Sequence, residues 1–490
     1  VSAGEREIDL SLISHTNVGK TTLARTLLGR NVGEVRDAPH VTAEAEANVM
    51  IRTREGDLLR LWDTPGFGDS ARLAKRLGQI GSPIGWFLSQ VWDRWRDRPF
   101  WSSQQAVRNV RSHADVVLYL VSAAEDPVDA GYVDAEMRIL EWIGKPAIVL
   151  LNQVGEPRPR AVEQAEEARW RTHLGRYGFV HEVLALDAFA RCWVQEMVLL
   201  RAVGAALPAP KRAALERLAA AWQAQRMAVF EASMDALAGH LARAACDREP
   251  VDGRGLRAQL AELLAREGEA GPNERAAARL AERVDADVRA TTDRLIEIHG
   301  LEGRASAEVL ARLAGDFAVA ARVSEGKAAV LGGLVSGALS GLWADLASGG
   351  LTFGAGMLAG GLLGALGAAG LARGYNVVRG TTETSVRWSG EFLDGFFASA
   401  LLRYLAVAHY GRGRGEWTAG EHPTFWRDEV KAVIEPHRPA IAEIWAAARD
   451  ADCDSARLAP ALRTELGAAA LALLERLYPG ALEDRRASRG

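Results

Sequence analysis

Cysteine is scarce in this chain: Cys192, Cys246 and Cys453 are its three representatives in 490 residues, and no two share a close spacing. That excludes a zinc ribbon and gives no sign of a disulfide framework, so a reducing cytosol is the expectation. The ten histidines show no metal-ligand spacing. An excess of positive charge is also missing. The formal net charge is −4, which argues against nucleic acid as a partner. A leader is not apparent either: Glu5, Arg6, Glu7 and Asp9 interrupt the first residues, and a cytoplasmic N-terminal domain is expected.

What is present is an ordinary globular composition, 48% apolar and 25% charged, in a chain long enough for two or three domains. The first two hundred residues alternate in the manner of an α/β domain. Strands are predicted at Ile8–Ile13, Glu46–Arg52, Leu58–Trp62, Val116–Val121, Ala147–Leu151 and Val180–Leu186, with a helix over Lys20–Leu28. The runs at 116 and 147 are continuously apolar, as central strands are. Leu207-Pro208-Ala209-Pro210 marks a boundary. The expectation is a G-type domain over 1–206, with a Trp-rich insertion at about 70–113, and a mainly helical domain over 207–490.

The chemistry concentrates between the first strand and the first helix. Ser14-His15-Thr16-Asn17-Val18-Gly19-Lys20-Thr21 fits a phosphate-binding P-loop whose opening glycine is replaced by serine. Backbone amides from Ser14 to Thr22 would cradle phosphate oxygens at the helix N-terminus. Lys20 would reach the β- and γ-phosphates, and the Thr21 hydroxyl would ligate Mg2+. Trp62-Asp63-Thr64-Pro65-Gly66 ends the next apolar strand. Asp63 there can hold Mg2+, and the Gly66 amide can contact the γ-phosphate. Thr42, between the two motifs, is a candidate second magnesium ligand in a switch loop. His15 and His40 fall near the phosphates, and neither is assigned a catalytic role.

Asn17-Val18-Gly19-Lys20-Thr21 followed by Trp62-Asp63-Thr64-Pro65-Gly66 resembles the Era and TrmE group of bacterial P-loop GTPases. Nearly the whole chain resembles a bacterial family that joins such a G domain to a C-terminal domain of unknown function. The resemblance implies an α/β P-loop fold, a mostly parallel sheet with helices on both faces, and a GTP/GDP ligand with Mg2+. It also implies that Asn17 holds a K+ ion that aids hydrolysis, with a nucleotide-dependent homodimer as one stimulus. Phe67 stands where many Ras-like proteins carry a water-orienting glutamine.

The guanine-reading motif of G proteins, Asn-Lys-x-Asp, is here Asn152-Gln153-Val154-Gly155. The aspartate that would pair with the base is gone. A site built to pair a polar group discriminates by roughly 10⁴-fold, so guanine selectivity is expected to weaken unless another acid substitutes. Asp187 has two readings, a substitute base contact and a helix cap.

Two segments stand outside the G domain motifs. Trp86, Phe87, Trp92, Trp95, Phe100 and Trp101 interleave with Arg94, Arg96 and Arg98, a pattern that suits a membrane interface, a partner surface, stacking on nucleic acid or a helical insertion packed on the C-terminal domain. Residues 327–373 form an apolar, glycine-rich hairpin divided by Asp345, with arginine or lysine at both ends. Length and flanking charge suit a hairpin dipping into a membrane from the cytoplasmic side, and the glycine stripes suit tight helix packing in a folded domain. The reading that follows is a slow regulatory GTPase coupled to a membrane or membrane protein, on the cytoplasmic face of the inner membrane. A dynamin-like remodelling GTPase, a ribosome-linked GTPase and a nucleotide-gated scaffold are its alternatives.

Overall fold

The computed structural model describes residues 6–15, 18–29, 46–64, 66–67, 70–79, 98–152, 160–186, 192–251, 272–301, 375–379, 384–409, 425–450 and 452–482. The chain divides into two compact units. One comprises Val1–Met227 with His409–Glu416 and Tyr478–Gly490; the other comprises Ala228–Ala408 with Trp417–Leu477.

The first unit opens with strand β1 (Glu7–Ser14) and helix α1 (Lys20–Leu28). Then come β2 (Glu46–Arg52), β3 (Leu58–Asp63), α2 (Ser70–Gln79), α3 (Arg98–His113) and β4 (Val116–Ser122). The unit continues through α4 (Gly131–Ile143), β5 (Ala147–Asn152), α5 (Arg160–Leu174), β6 (Val180–Ala185) and α6 (Trp193–Ala206). The six strands form one sheet in the order β2-β3-β1-β4-β5-β6. β2 is antiparallel to β3, and every other pairing is parallel.

β4 and β5 are buried along their whole length. That is why their sequences are unbroken apolar runs: helices cover both faces of a central parallel strand, so no position is left for a polar side chain. Val117, Tyr119 and Val121 share one buried apolar cluster with Val133, Met137 and Leu140 of α4 and Trp170 of α5. Because β1, β3 and β5 run parallel, Ser14, Asp63 and Asn152 all lie at the same, C-terminal edge of the sheet. Open α/β sheets place their ligands at that edge.

Helix α7 (Ala209–Cys246) is shared between the two units. The second unit adds β7 (Arg248–Pro250), α8 (Pro272–Ile298), β8 (Tyr375–Arg379), β9 (Thr384–Trp388) and α9 (Gly390–Ala408). It ends with α10 (Phe425–Ile434), α11 (Arg438–Ala447) and α12 (Ser455–Leu477). It is mainly helical, as expected, with an apolar interior that includes Leu237, Leu241, Phe396, Phe397, Leu466 and Leu473. A small antiparallel sheet, β7-β9-β8, is the addition. Strands of three to five residues are too short for alternation to show.

One expectation is corrected here. Cys246, at the end of α7, and Cys453, before α12, form a disulfide with 5.4 Å between their Cα atoms. They are 207 residues apart in the chain, so only the packing of helices brings them together, and local spacing could not reveal the pair. Cys192 is buried and outside the disulfide. The hairpin over 327–373 and the Trp-rich residues 80–97 lie outside the described residues. Among the described residues, no helix is long and apolar enough to cross a membrane.

Candidate nucleotide site

β1 delivers the chain to the sheet edge at Ser14, and α1 starts at Lys20. The turn into the helix needs Gly19. Its φ is +86°, and a Cβ there would stand 2.8 Å from the Asn152 amide nitrogen. Both facts exclude a side chain. The first turn of α1 is left with backbone amides pointing outward, the arrangement that favours a bound anion.

Lys20 points back along the loop, and its Nζ donates to the Ser14 hydroxyl at 3.3 Å. Desolvation lowers the pKa of this ammonium, while the charges of Asp63 and Glu136 act in the opposite direction. Thr21 Oγ1 donates to Asp63 Oδ2 at 2.7 Å. The hydroxyl from α1 and the carboxylate ending β3 are thus side by side. Two hard oxygen donors so placed fit Mg2+, which takes oxygen ligands and keeps several waters. Thr22 is buried in the first turn of α1.

The segment after β3 is held against the phosphate loop. Thr64 Oγ1 donates to the Leu12 carbonyl, and the Phe67 amide donates to the Ser14 carbonyl at 3.0 Å. His15 and Phe67 form an isolated parallel bridge. A Cβ on Gly66 would lie 3.0 Å from Lys20 Nζ and 3.1 Å from the Ser14 carbonyl. Gly66 therefore sits beside the lysine that would meet the γ-phosphate. Phe67 is fully buried, so its ring belongs to the core.

Asn152 is buried and donates its amide to the Val18 carbonyl at 2.7 Å. It ties the end of β5 to the phosphate loop. Ser14, His15, Val18, Gly19, Lys20, Thr21, Asp63, Gly66 and Asn152 are brought together at this edge. Thr16, Asn17, Thr42, Gln153 and Asp187 lie outside the described residues.

The residue that sequence reasoning passed over is Glu136. It is fully buried on α4, and its Oε1 lies 2.8 Å from His15 Nδ1. Tyr119 donates its hydroxyl to Oε2 at 2.7 Å. A signal for it existed: Val133, Glu136, Met137 and Leu140 share one helical face, and the other three are core residues. A carboxylate on that face has to be satisfied inside the fold.

The sheet order, the phosphate loop that ends at Gly19 and Lys20, and the Thr21–Asp63 pair define an Era-like P-loop GTPase domain followed by a mainly helical region. The chain belongs to the family described as "Domain of unknown function (DUF3482)", whose model matches residues 171–477. Residues 9–153 match the family described as "50S ribosome-binding GTPase". The chain is similar to GTPase Der of Ligilactobacillus salivarius (strain UCC118), with 29% identity over 153 residues, 31% of this chain and 28% of that protein. It therefore spans less than a third of the length of that curated relative. Among solved structures, it is similar to Era of Aquifex aeolicus bound to GDP and aluminium fluoride. The TM-score is 0.31 and the identity 19%, over 41% of this chain and 57% of that one. Toc33 of Arabidopsis thaliana gives a TM-score of 0.26 and 14% identity, over 38% and 73%.

Proposed function

We propose that the protein is a slow regulatory GTPase that binds GTP with Mg2+, hydrolyses its β-γ anhydride, and reports the nucleotide state through its helical C-terminal region to a membrane or membrane-protein partner. One observation carries the nucleotide part: Thr21 Oγ1 and Asp63 Oδ2 are 2.7 Å apart, and Thr21 directly follows Lys20, whose ammonium reaches back to Ser14 in the phosphate loop. Thr21 and Asp63 would hold the metal, whose bound charge would offset that of the phosphates. Lys20 would place its ammonium against the β- and γ-phosphates, and the Gly66 amide would orient the γ-phosphate. Neither Phe67 nor any other described residue beside Gly66 supplies a water-orienting glutamine, which supports a slow reaction. A K+ ion held by Asn17, or a homodimer, would supply the missing stimulation.

Guanine as the base is supported by the likeness to Der and Era, with Asn152 serving the loop and Asp187 as the candidate base contact. Displacement of labelled GTP tests it. GTP should displace the label at concentrations at least about tenfold below those of ATP, a ratio set well under the roughly 10⁴-fold of an intact polar pair because Gly155 lacks the carboxylate. Equal displacement by ATP ends the guanine assignment. The membrane part rests on the length and flanking charge of 327–373. Flotation of the full chain with anionic liposomes tests it, and a protein that stays at the bottom of the gradient refutes it.

A further inference from the structure

Glu136 joins three elements through one buried carboxylate. His15 belongs to the phosphate loop, and its Nδ1 lies 2.8 Å from Oε1. Tyr119 belongs to the central strand β4 and donates to Oε2 at 2.7 Å. The hydroxyl of Ser70, the first residue of α2, is close enough to the same carboxylate to favour its ionised form. Ser70 is itself buried, and it follows the Asp63–Gly66 segment that would sense the γ-phosphate. The His15 ring is held from its other side by stacking on Tyr132, with centroids 4.3 Å apart.

This arrangement is expensive as mere packing. A buried carboxylate is costly unless fully hydrogen-bonded, and its neighbours Val133, Met137 and Leu140 on α4 are apolar. Burial raises the Glu136 pKa, while the donors from His15, Tyr119 and Ser70 favour the ionised form. Departures from local pattern of this kind concentrate where function requires them. One of the three donors sits on the rigid strand. The other two sit on the phosphate loop and on the helix that follows Gly66, the segments that would flank a terminal phosphate.

We propose that Glu136 is a positioning residue for triphosphate hydrolysis: it keys the switch helix α2, through Ser70, to the phosphate loop, through His15. The proposal rests on the GTPase reading above. In it, Glu136 touches neither nucleotide nor metal. It sets the distance between the Gly66 segment and the loop, so that the γ-phosphate contacts form together.

The test uses full-length wild type, Glu136→Gln, His15→Ala, Ser70→Ala and the His15→Ala/Ser70→Ala double variant. GDP affinity, GTP affinity, single-turnover phosphate release and melting temperature are measured for each. For Glu136→Gln, GDP affinity stays within about threefold of wild type while the single-turnover rate falls ~10–100-fold, the cost of a small misplacement. The double variant is no slower than the slower single variant, because both act through one carboxylate. If wild type binds GTP without releasing phosphate, the same pattern is read in the GTP-over-GDP affinity ratio. A rate or ratio unchanged in Glu136→Gln overturns the proposal, as do additive losses in the double variant. Losses that follow the melting temperature and strike GDP and GTP alike overturn it too. A wild type that binds neither nucleotide overturns the GTPase reading along with it.

Discussion

The Asn152 amide donates to the Val18 carbonyl at 2.7 Å, inside the phosphate loop. A residue expected from its motif to meet the base thus braces the loop that would carry the phosphates. Gly19 completes the contact, since a side chain there would occupy the space of that amide. Asn152→Ala should therefore weaken GTP, GDP and ATP by similar factors, about 5–100-fold for a buried hydrogen bond left half-made. Affinities measured with the three nucleotides check this. A loss confined to guanine nucleotides would assign Asn152 to the base instead.

Arg403, in α9, is fully buried. Its three guanidinium nitrogens have no hydrogen-bond partner among the described residues. It lies over the Phe396 ring at 5.6 Å, and burial pushes its pKa down to about 10 against the pull of Asp287. Replacing such a charge by an apolar side chain of similar length is often stabilising by about 1–4 kcal/mol. Arg403→Met should raise the melting temperature by several degrees. A fall would show that the guanidinium has a partner in solution.

His240 is also fully buried. Its Nδ1 lies 2.7 Å from Asp287 Oδ2. Burial, followed by the charge of Arg403 and then of Arg243, holds its pKa down to about 4 from 6.5, against the Asp287 contact. Burial works to raise the pKa of Asp287, but its bonds to His240 and Arg243 prevail and hold it at about 2, so it stays ionised across that range. Between pH 6.5 and about 4 the unfolded chain takes up a proton at position 240 and the folded chain does not. Stability is therefore full above pH 6.5 and declines as pH falls towards 4, by up to about 3 kcal/mol from this group. Hydrogen exchange in α7 and α8 across that range should show the decline, and His240→Leu should flatten it. An unaltered slope in the variant would refute the assignment.

The Cys246–Cys453 disulfide closes a loop of 207 residues, and in the chain-entropy account such closure contributes about 5 kcal/mol. Peptide mapping of unreduced protein should recover the two cysteines linked, with Cys192 alkylated only after denaturation. Reduction should lower the melting temperature. Free alkylation of Cys246 in the unreduced fold would contradict the pairing.

The nucleotide domain was largely legible because its signals are local. Apolar runs such as Ala147–Leu151 mark central strands. The glycine before Lys20 and the aspartate after an apolar strand mark the loop edge without reference to anything distant. The partners of Glu136, the burial of Arg403 and the disulfide were not legible in this way. His15 and Glu136 are 121 residues apart, and only the parallel order of β1 and β4, with α4 laid across them, brings them into contact. Arg403 reads in sequence as an ordinary helical arginine, and its burial is a property of the packed helices around it. The short strand β7 carries no alternation that could be seen.

Single-turnover phosphate release from GTP with Mg2+, by wild type, Lys20→Ala and Asp63→Ala, tests the central claim most directly. Wild type should release phosphate, Lys20→Ala should bind GTP poorly and release none above background, and Asp63→Ala should lose the magnesium-dependent part of both binding and release. Release by the two variants at the wild-type rate, or tight GTP binding by wild type that is indifferent to magnesium and followed by no release, would contradict it.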